Sequence, residues 1–106
     1  MSTEIATAPT PVIGRIVHVL VDPTHNNGID VAPALITRVW PGRAEAQNGL
    51  GEHSMVNLRV LGESHQVEWL TSIALFDARP DADALAARNP QNPAGYHAVA
   101  FWPPRV

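Results

Sequence analysis

The sequence predicts a mainly β fold: a small, strongly bent antiparallel sheet or barrel of about five strands, with one short helix inserted before the last strand. Three observations support this prediction. Short stretches rich in Val, Ile and Leu recur along the chain, turns containing glycine or proline separate them, and one segment near the C-terminal end has helix signals. A chain of 106 residues is long enough for one such domain.

The first two predicted strands flank a strong turn signal. The stretch VIGRIVHVLV, residues 12–21, is largely β-branched, and Gly14 within it indicates a bulge or a sharp bend. The pair Asn27-Gly28 then favours a reverse turn. A second strand follows in PALITRVW, residues 33–40. Alternation would place Leu35, Thr37 and Val39 on one face of it, and Ile36, Arg38 and Trp40 on the other.

Two further strands follow a glycine-containing loop at residues 41–54. The stretch MVNLRVLG, residues 55–62, has a half-buried pattern. In it Val56, Leu58 and Val60 alternate with Asn57, Arg59 and Leu61. The stretch QVEWLTSIALF, residues 66–76, predicts a fourth strand that bends near Thr71 and Ser72.

The remaining residues predict a short helix and a closing strand. In RPDADALAARNP we expect Asp81 to cap the helix, Asp83 to lie in its first turn, Arg88 to lie in its last turn and Pro90 to end it. YHAVAFW, residues 96–102, is the closing strand, and two prolines end it. Closing the sheet leaves few free edges, which favours a small SH3-like barrel. Residues 12–106 form this domain, and residues 1–11 are expected to be an extended N-terminal arm.

The composition excludes several classes of function. The formal net charge is -3 and the arginines do not cluster, so we expect no nucleic-acid binding. No apolar run is long enough for a membrane span, the first residues do not resemble a signal peptide, and there is no cysteine for disulfides or thiolate metal sites. Only 16% of the residues are charged. So thin a charged surface suggests that a partner covers part of it.

No catalytic or metal-binding constellation stands out. The five histidines, His18, His25, His53, His65 and His97, have no short ligand spacing. No serine lies in a Gly-x-Ser-x-Gly motif, no acidic pair is spaced for acid–base catalysis, and no glycine-rich phosphate loop is present. We therefore expect no enzyme, no metal and no cofactor.

Aromatic and polar residues on the strands are the remaining candidates for a partner-binding or ligand-binding site. Each tryptophan falls near a strand end, where it either covers the core or lines a contact surface. Asn57 either points outward or satisfies a backbone group at a sheet edge. The candidate residues are Trp40, Trp69, Trp102, His18, Asn57, Thr71, Ser72, Arg38 and Arg59.

Five motifs occur in an order that resembles a group of small proteins of unknown function from tailed bacteriophages and prophages. They are GRIVHV (14–19), PALITRVW (33–40), VNLRVL (56–61), TS (71–72) and FWPPRV (101–106). Members of that group typically have an aromatic residue where Val19 stands, and they end near Trp-His-Trp-Pro-Glu, whereas this chain has Phe101-Trp102-Pro103-Pro104. The resemblance implies a phage origin.

Two functional hypotheses follow. The first is a non-enzymatic structural protein of the virion, a small capsid-decorating or head-associated protein. It would be made in the bacterial host cytoplasm, form homo-oligomers and bind neighbouring subunits of the capsid lattice through its N-terminal arm and β domain. The alternative is a phage-encoded protein that binds a small ligand, such as a signalling nucleotide, and so counters host defence. Its pocket would be walled by tryptophans and by Arg38 or Arg59.

Overall fold

A computed structural model of the protein describes residues 10–43, 52–62, 67–88 and 95–103, and in it five strands close into a barrel. The mainly β prediction, with one helix before the last strand, is therefore confirmed. The predicted arm lies outside the described residues except for Thr10 and Pro11. The elements in chain order are β1 (Ile16–Val21), β2 (Val31–Val39), β3 (His53–Leu61), β4 (Val67–Phe76), α1 (Arg79–Ala86) and β5 (Tyr96–Phe101).

The strands follow the barrel in sequence order, but one of the pairings is parallel. β1 pairs with β2 and β5, β2 with β3, and β3 with β4, all antiparallel. β4 and β5 are parallel, which corrects the expectation of a wholly antiparallel sheet. The physical reason is the inserted helix, because a parallel pair needs a crossover connection and α1 lies in that connection.

Turn residues determine where β1 begins and ends. Gly14 has φ +96°, and the Arg15 amide donates to the Val12 carbonyl at 3.2 Å, so the chain turns before the strand begins at Ile16. The sharp bend predicted at Gly14 is confirmed, whereas the predicted start of the strand at residue 12 is wrong. After β1 a single 3₁₀ turn (Pro23–His25) leads to Asn27 and Gly28, both with positive φ.

The helix begins earlier than predicted. Its N-cap is Ala78, which has no capping side chain, and a proline lies at the start of the helix, a position that suits its fixed φ. Asp81 therefore lies in the first turn and is not the cap, and Arg88 lies beyond the last helical residue. Arg79 instead anchors the helix, because its guanidinium pairs with Asp30 on the β1–β2 connection and with Asp83 at 3.5 Å.

Two hydrophobic clusters stabilise the fold. One fills the barrel and consists mainly of the inward residues of all five strands, including Val19, Ile36, Leu58, Leu75 and Ala100. The other lies outside the barrel wall under α1. It comprises Leu20, Ala74, Phe76, Ala82, Val99 and Phe101. Both faces of the last part of β5, Val99 to Phe101, are consequently buried.

Candidate interaction surface on strands β1 to β4

Asn57 lies where two β-bulges face each other across β3. On β2, Ile36 pairs with Leu58 and Arg38 pairs with Asn57, so β2 has one more residue than β3 at this point. On β4, Leu70 pairs with Leu58 and Ile73 pairs with Val56, so two residues of β4 lie opposite Asn57. Each bulge twists its strand locally. The strict alternation predicted for β2 is therefore wrong, because the bulge leaves Ile36 in the core and Arg38 exposed.

The Asn57 amide joins the three strands. Its side chain is only 6% exposed, and its Oδ1 accepts from Trp40 Nε1–H at 2.9 Å and from the Ser72 backbone N–H at 2.8 Å. Ser72 has φ +55°, a left-handed conformation that a non-glycine residue adopts at a cost of about 1–2 kcal/mol. Asn57 thus satisfies a backbone group, as one of the two alternatives predicted, but it does so at a bulge inside the closed barrel and not at a sheet edge, and it holds the bend predicted near Thr71 and Ser72.

Arg38 covers the outer side of this junction. Its guanidinium carbon lies 4.0 Å from the centroid of the Trp40 ring, a distance typical of a cation–π contact. Because Asn57 holds the indole N–H from the other side, the orientation of Trp40 is set by two partners. Trp40 is half-buried, whereas Arg38 is exposed.

A row of mostly apolar side chains crosses the four strands next to this junction. Ile16 pairs with Leu35, Leu35 with Arg59, and Arg59 with Trp69, so the four residues stand side by side on the outside of the barrel. Ile16 is 43% exposed and Trp69 is 54% exposed. Together with its neighbours this row forms what we call the outer face. The outer face comprises Ile16, Leu35, Arg38, Trp40, Asn57, Arg59, Leu61, Trp69, Thr71 and Ser72.

The charge of the outer face is positive. Arg38 and Arg59 are exposed, and neither forms an ion pair with any residue that the structure describes. Glu68 neighbours Trp69 in sequence but pairs with the buried Val60 and lies on the other side of β4. On that side of β4, burial raises the pKa of Tyr96, and the negative charge of Glu68 raises it further. The outer face therefore has two guanidinium groups and no carboxylate, although the whole chain has a net charge of -3.

Two of the candidate residues lie elsewhere. Trp102 is 7% exposed and belongs to the cluster inside the barrel, so it covers the core. His18 is on the outside of β1 but lies against Phe101, with ring centroids 5.6 Å apart, at the edge of the cluster under α1. Burial, reinforced by the positive charge of Arg79, lowers the pKa of His18.

The structure therefore brings together seven of the nine candidates on the outer face. These are Trp40, Trp69, Asn57, Thr71, Ser72, Arg38 and Arg59. The sequence reasoning missed Ile16, Leu35 and Leu61, which contribute most of the remaining apolar surface there. Their only sequence signal is alternation, which does not identify the neighbouring strand.

A groove of about 360 Å³ lies beside Trp40 at the end of β2. Its walls are largely apolar, and Thr10 and Pro11 contribute to them together with Val39, Trp40, Pro41, Gly42, Arg43 and Ser54. Arg43 is already engaged, because it donates to Ser54 Oγ at 3.2 Å and lies 3.6 Å from Asp77 and 3.8 Å from Glu52. The guanidinium in the groove is thus offset by two carboxylates, which weakens its attraction for an anion.

Among the described residues, no group of three or more His, Asp or Glu side chains is arranged to hold a metal ion. The one α-helix in the described part of the chain is too short to span a membrane. Comparison with protein-family models, with curated proteins and with solved structures found no match to this chain.

Proposed function

We propose that this protein is a non-enzymatic structural protein of a tailed bacteriophage virion, a small capsid-decorating or head-associated protein that binds neighbouring subunits through its outer face. The observation that carries the proposal is the exposed apolar and cationic surface on a closed barrel. The ordered motifs that resemble small phage and prophage proteins support the phage origin. The first nine residues of the arm lie outside the described residues, so the proposal rests on the outer face.

The exposure of Trp69 shows why a partner is favoured there. A tryptophan has up to about 250 Å² of surface to bury, so a 54% exposed side chain leaves roughly 130 Å² in water. At about 25 cal/mol per Å², covering that area would contribute roughly 3 kcal/mol to binding. Large aromatic and arginine side chains in one patch are also typical of the residues that dominate binding energy in protein interfaces.

The proposal is tested on purified phage particles. We expect mass spectrometry to find the protein in particles at a constant copy number. In a phage that encodes Trp69→Ala, the dissociation constant for the particle should rise at least about tenfold, because about 1.4 kcal/mol of lost binding corresponds to that change, and the copy number in purified particles should fall. Ile13→Ala is the matched control, because Ile13 is 70% exposed and apolar but lies outside the outer face. Particles that lack the wild-type protein would refute the proposal.

A second candidate function is small-ligand binding, and the groove beside Trp40 is the observation that favours it. An aromatic ring of a ligand could stack on the apolar wall, and Ser54 and Arg43 would supply polar contacts. The test is thermal unfolding with a panel of cyclic and linear nucleotides. A rise in melting temperature that Trp40→Ala abolishes would favour this function, and no rise with any member of the panel would count against it.

A further inference from the structure

The outer face and α1 lie on opposite sides of the barrel. In a closed ring of five strands, β2 and β3 are opposite β5, because β5 neighbours only β4 and β1. α1 packs mainly on β5, with smaller contacts to β4 and β1. Met55 near the start of β3 still packs against the cluster under α1, but the outer face lies on the second half of β3, at Asn57, Arg59 and Leu61, away from the helix.

The side of the molecule that carries α1 has an excess of negative charge. We define the helix side as Asp30, Asp77, Asp81 and Asp83 with the arginines that contact them, Arg43 and Arg79. Four carboxylates against two guanidiniums leave two negative charges. Asp81 has no ion pair or hydrogen bond with any other described residue. Arg88 follows the far end of the helix, about 10 Å along its axis from Asp81.

We propose that the outer face of one copy binds the helix side of a second copy. Arg38 and Arg59 bring positive charge to a surface that has a surplus of negative charge even when Arg88 is counted with it, so the charges of the two surfaces are opposite in sign. The exposed, small side chains of Ala78, Pro80 and Ala87 on the helix side offer a flat surface against which Trp69 can pack. The inference rests on the proposed function only in taking the outer face as an interface.

The charges also argue against a two-fold pairing of two outer faces. Such a pairing would place Arg38 and Arg59 of both copies together with no carboxylate between them, and like charges in an interface cost several kcal/mol. A contact between different surfaces on opposite sides of a molecule generates rows or large rings instead of closed dimers. Arrangements of that kind suit a protein that covers a lattice.

The size of the outer face limits how strong the contact is. The outer face crosses four strands that lie about 4.8 Å apart, and it extends over about six residues of each strand, at about 3.3 Å per residue. Its area is therefore about 400 Å². Stable interfaces bury about 800 Å² on each partner. We therefore expect weak, concentration-dependent association in solution, which repetition on a lattice would strengthen through avidity.

The test is sedimentation velocity of the purified full chain at low salt, over concentrations from about 10 µM to about 1 mM. We expect the wild-type protein to associate as its concentration rises, and the association to weaken as salt is added. Arg59→Glu and Asp81→Arg should each raise the dissociation constant at least about tenfold, because each places like charges in the contact. The double variant Arg59→Glu/Asp81→Arg exchanges the two charges and should recover most of the association.

The control is Arg15→Glu, which changes the net charge as much as Arg59→Glu does but alters an exposed residue that precedes β1. A wild-type protein that stays monomeric throughout the range would overturn the inference. So would association that Arg59→Glu leaves unchanged, or a double variant no better than either single variant. These outcomes are independent of whether the protein is found in phage particles, which tests the proposed function alone.

Discussion

Asn57 offers the sharpest test of how the barrel is built. Its Oδ1 is the shared acceptor for Trp40 Nε1–H and the Ser72 backbone N–H, so Asn57→Ala removes the acceptor from both donors at once. Leaving a buried donor unsatisfied costs about 1–3 kcal/mol. Trp40 is half-buried and Ser72 is exposed, so water partly replaces the lost bonds and the lower value applies to each. We expect Asn57→Ala to lower the free energy of unfolding by about 2 kcal/mol.

Two further variants separate the hydrogen bonds from simple packing. Asn57→Leu keeps a similar volume but has no acceptor, so it should cost as much as Asn57→Ala. Asn57→Asp keeps an oxygen that can accept from both N–H groups, so at neutral pH it should cost least of the three. Urea unfolding followed by tryptophan fluorescence measures all of them, and about 2 kcal/mol corresponds to a fall in melting temperature of roughly 8–16 °C.

One pattern of results would refute this reasoning. If Asn57→Leu, which has no acceptor, is as stable as the wild-type protein, the acceptor is not what holds the junction. The fluorescence of the folded state gives an independent check. Loss of the Asn57 contact should move the emission of Trp40 toward longer wavelengths in the alanine and leucine variants, because the indole becomes more exposed to water.

Three other predictions concern backbone strain, pH and close packing. Ser72→Gly should stabilise the protein by about 0.5 kcal/mol in urea unfolding, because glycine adopts φ +55° without strain; a loss of stability would contradict this. The lowered pKa of His18 means that the folded state favours the neutral imidazole, so unfolding free energy should fall as pH drops below about 6.5 and level off below the folded pKa. His18→Gln should lose part of that pH dependence, and an unchanged profile between pH 7.5 and pH 5 would count against it. Gly62→Ala would place its Cβ 2.8 Å from Tyr96 Oη, so we expect a cost of about 1–3 kcal/mol in thermal unfolding; Tyr96→Phe in the same chain should reduce that cost if the hydroxyl is the obstacle.

The outer face is formed by residues that are far apart along the chain. The candidates were chosen because tryptophan, arginine and small polar residues are common in contact surfaces, and seven of them share one side of the barrel. Trp102 shows the limit of that reasoning, since, like Trp69, it was expected near a strand end, but it is buried in the barrel.

The local elements of the fold could be predicted from the sequence. The alternation of Val56, Leu58 and Val60 with Asn57 and Arg59 predicted β3, and Gly14 predicted a bulge or bend, although within the strand and not before its start at Ile16. Such patterns work because burying one side of a strand requires a period of two along the chain, and because glycine tolerates positive φ. The helix before the last strand was also predicted, but its start was not, because the helix begins at Arg79, before the predicted cap Asp81.

How these elements meet could not be predicted, because it depends on contacts between distant strands. The two bulges beside Asn57, the parallel pairing of β4 with β5 and the row from Ile16 to Trp69 all depend on register. Register is a relation between strands that are far apart in the chain, and a single-residue shift moves every side chain to the opposite face. A pattern within one strand shows that it has a buried side and an exposed side. Which residues stand beside one another on the exposed side is determined only when the barrel closes.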